Sequence, residues 1–370
     1  MHILFAGGGT AGHINPALAV AGYLKEKHPD VKISYIGTEK KLESRLVPEA
    51  GYDFYTIDVA GFQRKLTIKN VFRNISAVYK VVNSSVKAKK LLKTLNPDVV
   101  IGTGGYVSGP VLREAAKLGI KTAIHEQNAY PGITNKMLAE KVDCVMLAMP
   151  EAEKRLNLKK KPVITGNPVR QELLLADKGK ARSELGIDDS KTVILSFGGS
   201  LGARPINEAM AGVIANNDGK YRIFHATGKA GYDSFFEMLK SKGIKEDKTV
   251  NIFEYINNMD VMLAAADLVV CRAGAITLSE ISACAKPSIL IPSPYVSENH
   301  QYHNALTLKN RGAAELIEEK NLTAEKLLQT INSIADDKNT LVSMSKNAKK
   351  VAILDANKRI YDVIIDLYNK

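Results

Sequence analysis

Short apolar runs alternate with longer amphipathic stretches almost from one end of the chain to the other. In the first half, His2–Ala6, Lys32–Ile36, Asp98–Gly102, Lys121–His125 and Val142–Leu147 predict strands. In the second half, Thr192–Phe197, Tyr221–Ala226, Val250–Phe253, Leu268–Cys271 and Ser288–Ile291 do the same. These runs are rich in Val and Ile and lack strict polar alternation, the pattern of parallel strands covered on both faces. With helical stretches between them, they predict a doubly wound α/β fold. A strand, a glycine turn and a helix follow one another in ILFAGGGTAGHINPALAVA from Ile3 and again in ILSFGGSLGARPINEAMAG from Ile194. The echo predicts two domains of one architecture, and 370 residues fit two at roughly 150 each. The Lys/Pro-rich stretch Lys159–Gly166 predicts the boundary, with a first domain over 1–163 and a second over 164–355. The tail over 356–370 reads as a further helix.

Composition narrows the class. Apolar residues make up 45% and charged residues 24%, enough for packed cores and too ordered a mixture for wholesale disorder. No run of 18 apolar residues predicts a membrane span, and MHILFAGGG lacks the basic start of a signal peptide. Cys144, Cys271 and Cys284 lie far apart, without a CxxC, and fit a reducing compartment better than a disulfide framework or zinc site. The net charge of +12 is unevenly spread: residues 1–165 hold 25 Lys and Arg against 14 Asp and Glu, the remainder 26 against 25. Between Asp58 and Asp98, Arg64, Lys65, Lys69, Arg73, Lys80, Lys87, Lys89, Lys90 and Lys93 meet no acid at all. Such a field attracts nucleic acid, anionic lipid or a phosphorylated substrate, whereas a merely solvated surface mixes its signs. Read as a helix, this stretch puts Arg73, Lys80 and Lys87 on an outward stripe with Phe62 and Phe72 nearby. Val71, Ile75, Val78, Val82 and Val86 then face the domain.

Polar residues gather where predicted strands end. Gly7–His13 (GGGTAGH) is a glycine loop between strand and helix, able to bring backbone N–H groups and a helix end up to a ligand. It matches GxGxxG, with Glu39 after the next strand, so a nicotinamide reading is open; a tight turn packing helix on sheet is the other. Gly102–Pro110 (GTGGYVSGP) is a second such loop, with Ser108 or a neighbour placed to cap the following helix. Gly198–Arg204 (GGSLGAR) is a third, where Ser200 offers a hydroxyl suited to a diphosphate. His125-Glu126-Gln127-Asn128 puts four polar residues at one strand end. In Arg272–Glu280 (RAGAITLSE), Glu280 lies one helical turn in, able to accept two ribose hydroxyls or simply well placed near a helix N-terminus. His300 and His303 stand three apart without a further ligand at metal spacing, and no D-x-D occurs. The expected metal and cofactor complement is therefore none. Any diphosphate would rest on helix ends, backbone N–H groups and an arginine.

Seven segments in this order and spacing (GGGTAGH, GTGGYVSGP, HEQN, GNPVR, GGSLGAR, CRAGAITLSE and HQYHNA) resemble the MurG family of bacterial glycosyltransferases along the whole chain. The resemblance implies GT-B architecture: two Rossmann-like doubly wound α/β domains facing across a cleft, the terminal helix returning to the first. It implies transfer of N-acetylglucosamine from UDP-N-acetylglucosamine to the 4-hydroxyl of the muramoyl sugar of lipid I, an undecaprenyl-linked acceptor, giving lipid II. The first domain would bind the acceptor and the second the donor. Ile256 would meet the uracil through its backbone and Glu280 the ribose. Arg170, Ser200 and the turn Ala275, Thr277, Leu278, Ser279 would surround the diphosphate. Thr10, Ala11, Gly12, Asn128 and Gln301 would contact the sugar side. Ala11 departs from the family's usual glycine, and His300 stands where some relatives carry Gln.

Inversion at the donor carbon requires a base, stabilisation of positive charge on the sugar, and stabilisation of departing UDP. His13, at a predicted helix N-terminus, is the candidate base; ordering its loop or binding acceptor phosphate is the alternative. A UDP-sugar epimerase of the same architecture and a nicotinamide oxidoreductase are the rival enzymes. A nucleic-acid module would need stacking aromatics, and only 6% of residues are aromatic, with no Trp. The basic field is instead expected to meet anionic phospholipid of the inner leaflet, making the protein peripheral to the cytoplasmic side of the membrane.

Overall fold

The computed structural model describes residues 1–59, 83–188, 190–199, 201–244 and 248–370. Two compact units result: Met1–Pro168 together with Asp355–Lys370, and Val169–Leu354. In the first, β1 (His2–Gly7), β2 (Lys32–Gly37), β3 (Asp53–Thr56), β4 (Val99–Gly104), β5 (Lys121–Glu126), β6 (Cys144–Leu147) and β7 (Val163–Ile164) form one sheet ordered β3-β2-β1-β4-β5-β6-β7. In the second, β8 (Val193–Phe197), β9 (Arg222–Ala226), β10 (Val250–Phe253), β11 (Leu268–Cys271), β12 (Ser288–Leu290) and β13 (Ala314–Leu316) are ordered β10-β9-β8-β11-β12-β13. Neighbouring strands run parallel, as at Ile3↔Ile33 and Val270↔Ser196.

Helices connect the strands. Those of the first unit are α1 (Ala11–Lys27), α2 (Glu43–Glu49), α3 (residues 83–95), α4 (Ser108–Lys117) and α5 (Ile133–Leu138). The second unit carries α6 (Gln171–Leu175), α7 (Lys178–Glu184), α8 (Arg204–Ala215), α9 (Tyr232–Ser241) and α10 (Met259–Ala265). It continues through α11 (Ala275–Ala283), α12 (His300–Asn310), α13 (Ala324–Ala335) and α14 (Lys338–Val351). The chain ends in α15 (Ala356–Tyr368), back in the first unit.

Both faces of each sheet are covered, which is why the strand runs lack polar alternation. In β1, Ile3 and Phe5 pack with Ile14 and Leu24 of α1 and with Ile360 and Ile364 of α15. Leu4 and Ala6 point the other way, into Leu92, Val111 and Leu112. The second unit repeats the plan around Ile194, Ile223, Val270 and Ile289, packed against Met210, Phe235 and Ile331.

The expected packing face of the basic helix is corrected at its described end. Val86 is 64% exposed, whereas Ser84, Ala88 and Leu92 are buried. Small Ser84 and Ala88 let α3 approach closely, and Leu91 and Leu95 extend that face; Val86 lies on the opposite side of the helix. Lys87, Lys89, Lys90 and Lys93 are exposed. Arg64, Lys65, Lys69, Arg73, Lys80, Phe62, Phe72, Val71, Ile75, Val78 and Val82 lie outside the described residues.

Candidate active site

Strand order reverses between β1 and β4 in the first sheet and between β8 and β11 in the second. At such a switch the following connections leave to opposite faces, and doubly wound folds take ligands outside the carboxyl ends of those strands. The glycine loops leave β1, β4 and β8, and the RAGAITLSE segment leaves β11.

In the first unit, the loops after β1 and β4 meet backbone to backbone. A Cβ on Gly105, whose φ is +79°, would stand 2.4 Å from the Gly8 carbonyl oxygen, and one on Gly104 would stand 2.6 Å from His13 Nδ1. Glycine is what lets the second loop lie against the first. Ser108 does not cap α4 as expected. Its hydroxyl is fully buried, accepts from the Gly104 N–H at 3.1 Å and donates to the Ala6 carbonyl at 2.8 Å, tying β1 to the loop after β4. Thr10 precedes α1 and its carbonyl accepts from the His13 N–H at 3.1 Å. Thr10 and Ala11 are exposed and Gly12 and His13 half-buried, so the methyl of Ala11 is accommodated at the surface.

Sequence reasoning overlooked Glu43. Glu39, the acid weighed for this place, is exposed, while Glu43 is completely buried. Its carboxylate accepts from the Gly9 N–H at 3.0 Å, the Thr38 N–H at 3.1 Å and the Thr38 hydroxyl at 2.7 Å. A carboxylate thus fixes the first glycine loop from beneath. The signal available was Glu43 opening a short helix just after β2.

The HEQN run closes β5. Glu126, 1% exposed, accepts from the Asn128 N–H and side-chain amide at 2.9 and 3.0 Å, the Gly132 N–H at 2.9 Å and Asn135 Nδ2 at 2.8 Å. It organises the turn that presents Asn128. Gln127 reaches His13, with Oε1 3.2 Å from Nδ1. His125 is buried with Nε2 2.9 Å from the Gly166 carbonyl, and burial lowers its pKa from the ordinary histidine range.

In the second unit, Glu280 and Arg170 are 110 residues apart in sequence yet joined, Arg170 Nε donating to Glu280 Oε1 at 2.8 Å. The Arg170 side chain is half exposed and that of Glu280 mostly covered. Ala275 and Thr277 lie in the first turn of α11. Leu278 turns its side chain into the core and donates its N–H to the Gly274 carbonyl at 2.9 Å, and the Ser279 hydroxyl donates to the Ala275 carbonyl. Ile256 is buried in the loop between β10 and α10. Gln301, in the first turn of α12, accepts from the Ser293 N–H at 2.9 Å. Ser200 lies outside the described residues. A cavity of about 560 Å³ in this unit is lined by Pro205, Pro292, Tyr295, Tyr302 and Glu319 among others, and by none of the expected donor residues.

Residues 3–147 match the glycosyltransferase family 28 N-terminal domain, and residues 193–360 match the glycosyltransferase family 28 C-terminal domain. The UDP-N-acetylglucosamine–N-acetylmuramyl-(pentapeptide) pyrophosphoryl-undecaprenol N-acetylglucosamine transferase of Acetivibrio thermocellus is 47% identical, over 99% of this chain and 98% of that one. The chain belongs to the MurG family. A second member, from Ruminiclostridium cellulolyticum, is likewise 47% identical over 99% of this chain and its own full length. The crystal structure of Acinetobacter baumannii MurG superposes with a TM-score of 0.82 at 29% identity, covering 99% of both chains. MurG-family membership accounts for two parallel-sheet domains with loops of matching order.

Proposed function

We propose that the protein is an inverting glycosyltransferase that moves N-acetylglucosamine from UDP-N-acetylglucosamine to lipid I, forming lipid II for peptidoglycan synthesis. The observation that carries this reading is the full-length match to MurG-family transferases, with polar loops at both topological switch points. The acceptor belongs to the first unit and the donor to the second. His13 takes the proton from the acceptor hydroxyl as the new bond forms, and UDP departs with its charge met by Arg170, Ser200 and the first turn of α11. Glu280 receives the ribose hydroxyls, Ile256 the uracil, and Thr10, Ala11, Gly12, Asn128 and Gln301 the sugar side. The direct test is incubation with UDP-N-acetylglucosamine and a lipid I analogue. Labelled disaccharide-lipid is the expected product. Epimerisation of the nucleotide sugar without transfer would overturn the reading in favour of the rival enzyme.

Donor recognition makes a sharper demand. Glu280→Ala should raise KM for UDP-N-acetylglucosamine about 10- to 100-fold, since a hydrogen bond to a charged group contributes about 1.5–3 kcal/mol. Arg170→Ala should do the same. Because the two side chains are bonded to each other, the effects should be coupled, the double variant losing less than the two singles added. Wild-type donor kinetics in both folded single variants would remove these residues from the site.

We further propose that the first unit rests on anionic phospholipid at the cytoplasmic face of the membrane. No helix among the described residues is long and apolar enough to cross a membrane. Lys87, Lys89, Lys90 and Lys93 project from α3, and on α5 Ile133 and Met137, one turn apart and 50% and 63% exposed, flank Lys136. Each basic residue near an anionic surface contributes about 1 kcal/mol. Arg73, Lys80 and Lys87 changed together to Glu should abolish sedimentation with anionic vesicles at low salt and spare UDP-sugar binding. Undiminished sedimentation would move the membrane face elsewhere.

A further inference from the structure

The His13 ring has one hydrogen-bond partner in its unit among the described residues, the side-chain amide of Gln127, whose Oε1 lies 3.2 Å from Nδ1. The orientation of that amide follows from its other neighbours. One end lies 3.0 Å from the Thr103 carbonyl oxygen and 3.0 Å from the His125 carbonyl oxygen. Carbonyl oxygens only accept, so this end is the NH₂ group. The end facing His13 is consequently the oxygen, which also only accepts. A bond at Nδ1 therefore requires the proton to sit on Nδ1, and the neutral ring keeps its lone pair on Nε2.

The rest of the cluster holds the amide in that sense. The His125 ring lies on the donor side, its Nδ1 3.0 Å from Gln127 Nε2 and its Nε2 2.9 Å from the Gly166 carbonyl. Gly166 can only accept, so His125 carries its proton on Nε2 and offers Nδ1 as an acceptor. The two hydrogens of the Gln127 amide are thus shared among three acceptors, and rotation by half a turn would set its oxygen against all three. Asn167 Nδ2 donates to the Gln127 carbonyl at 3.1 Å and fixes the main chain. Both His125 and Gln127 are at most 2% exposed, so water cannot readily replace these bonds.

We infer that Gln127 is a positioning residue that holds His13 as the Nδ1–H tautomer and leaves Nε2 as the proton acceptor, with His125 and the Thr103 and Gly166 carbonyls fixing Gln127. The inference rests on the reading of His13 as the base. It supplies what a base at this position needs, because an imidazole free in water favours the opposite tautomer. Chemically, the acceptor hydroxyl proton passes to Nε2, the ring becomes a cation with both nitrogens protonated, and Gln127 Oε1 continues to accept from Nδ1–H.

The tautomer is measurable without turnover. In ¹⁵N-histidine-labelled wild-type protein, with the His13 signals assigned by their loss in His13→Ala, His13 should show a protonated Nδ1 and an unprotonated Nε2 at neutral to mildly alkaline pH. An Nε2–H tautomer in the wild type would overturn the proposal. Gln127→Met should redistribute the tautomers and lower kcat about 10- to 100-fold with donor KM unchanged, on the scale of general-base effects. Wild-type kcat in a folded Gln127→Met protein would also overturn the positioning role. Failure of the base reading looks different: His13→Ala would then keep its turnover while the wild-type ring still showed Nδ1–H.

Discussion

His13→Ala should lower turnover by about 10²–10⁴-fold, the range lost when a general base is removed, with donor KM within about twofold of wild type. The split follows from position. His13 lies in the first unit, in the first turn of α1, whereas Glu280, Arg170 and the start of α11 lie in the second. A residue that acts only on the acceptor proton contributes to the transition state and little to donor binding. If His13 instead ordered the loop, its loss would disturb the Gly104 backbone that it packs against and act on acceptor KM. Steady-state kinetics with each substrate varied separately distinguish the two. A drop below tenfold with an unchanged pH dependence would leave His13 a loop residue.

Acid should unfold this protein well before its carboxylates are exhausted. His225 is completely buried in β9, its ring 4.8 Å from that of Phe235 and neither ring nitrogen hydrogen-bonded, and burial drives its pKa down to about 3. The folded state therefore refuses a proton that the unfolded chain accepts near pH 6.5. Between pH 6.5 and about 3 the unfolded state binds more protons, so stability falls as pH falls; above pH 6.5 this group contributes no slope. At 1.36 kcal/mol per pH unit, lowering the pH from 6.5 to 4 should cost about 3 kcal/mol from His225 alone, a substantial part of a typical 5–15 kcal/mol. His125 and His2 are displaced in the same direction by burial and steepen the loss in the other unit. Urea unfolding of wild type and His225→Gln at a series of pH values should show a shallower decline in the variant, whatever its stability at pH 7. Parallel slopes would mean that His225 gains its proton in the folded state.

Ten strands were legible because each is central or long enough to show an unbroken apolar run. The three that were not, β3, β7 and β13, all lie at sheet edges. DFYT, VI and AEL each leave residues partly or fully exposed, so neither burial on two faces nor length marks them. Edge strand β10 was found, helped by the alternation Val250, Ile252. The polar clusters at strand ends were legible for a related reason, since they interrupt the buried runs. Contacts between distant segments were not. Neither the Arg170–Glu280 pair nor the Glu43–Gly9 bond has a sequence spacing that announces it. The direction of α3 was misread because a valine repeat was extended past Val82, whereas small Ser84 and Ala88 set the contact.

The placement of α15 makes the first unit discontinuous. Its first 168 residues lack the helix that supplies Ile360, Val363, Ile364 and Leu367 to their core, four side chains whose burial contributes about 1.5–3 kcal/mol each. On the ribosome, where chains grow at about 5–20 residues per second, Met1–Pro168 are made well before α15 can cover them. The second unit, a single uninterrupted stretch, has all its strands earlier. Until α15 is made, the first sheet, complete in its strands, exposes the apolar groove that this helix later fills. A chain ending at Leu354 would hold all of the second unit and leave the first without its covering helix.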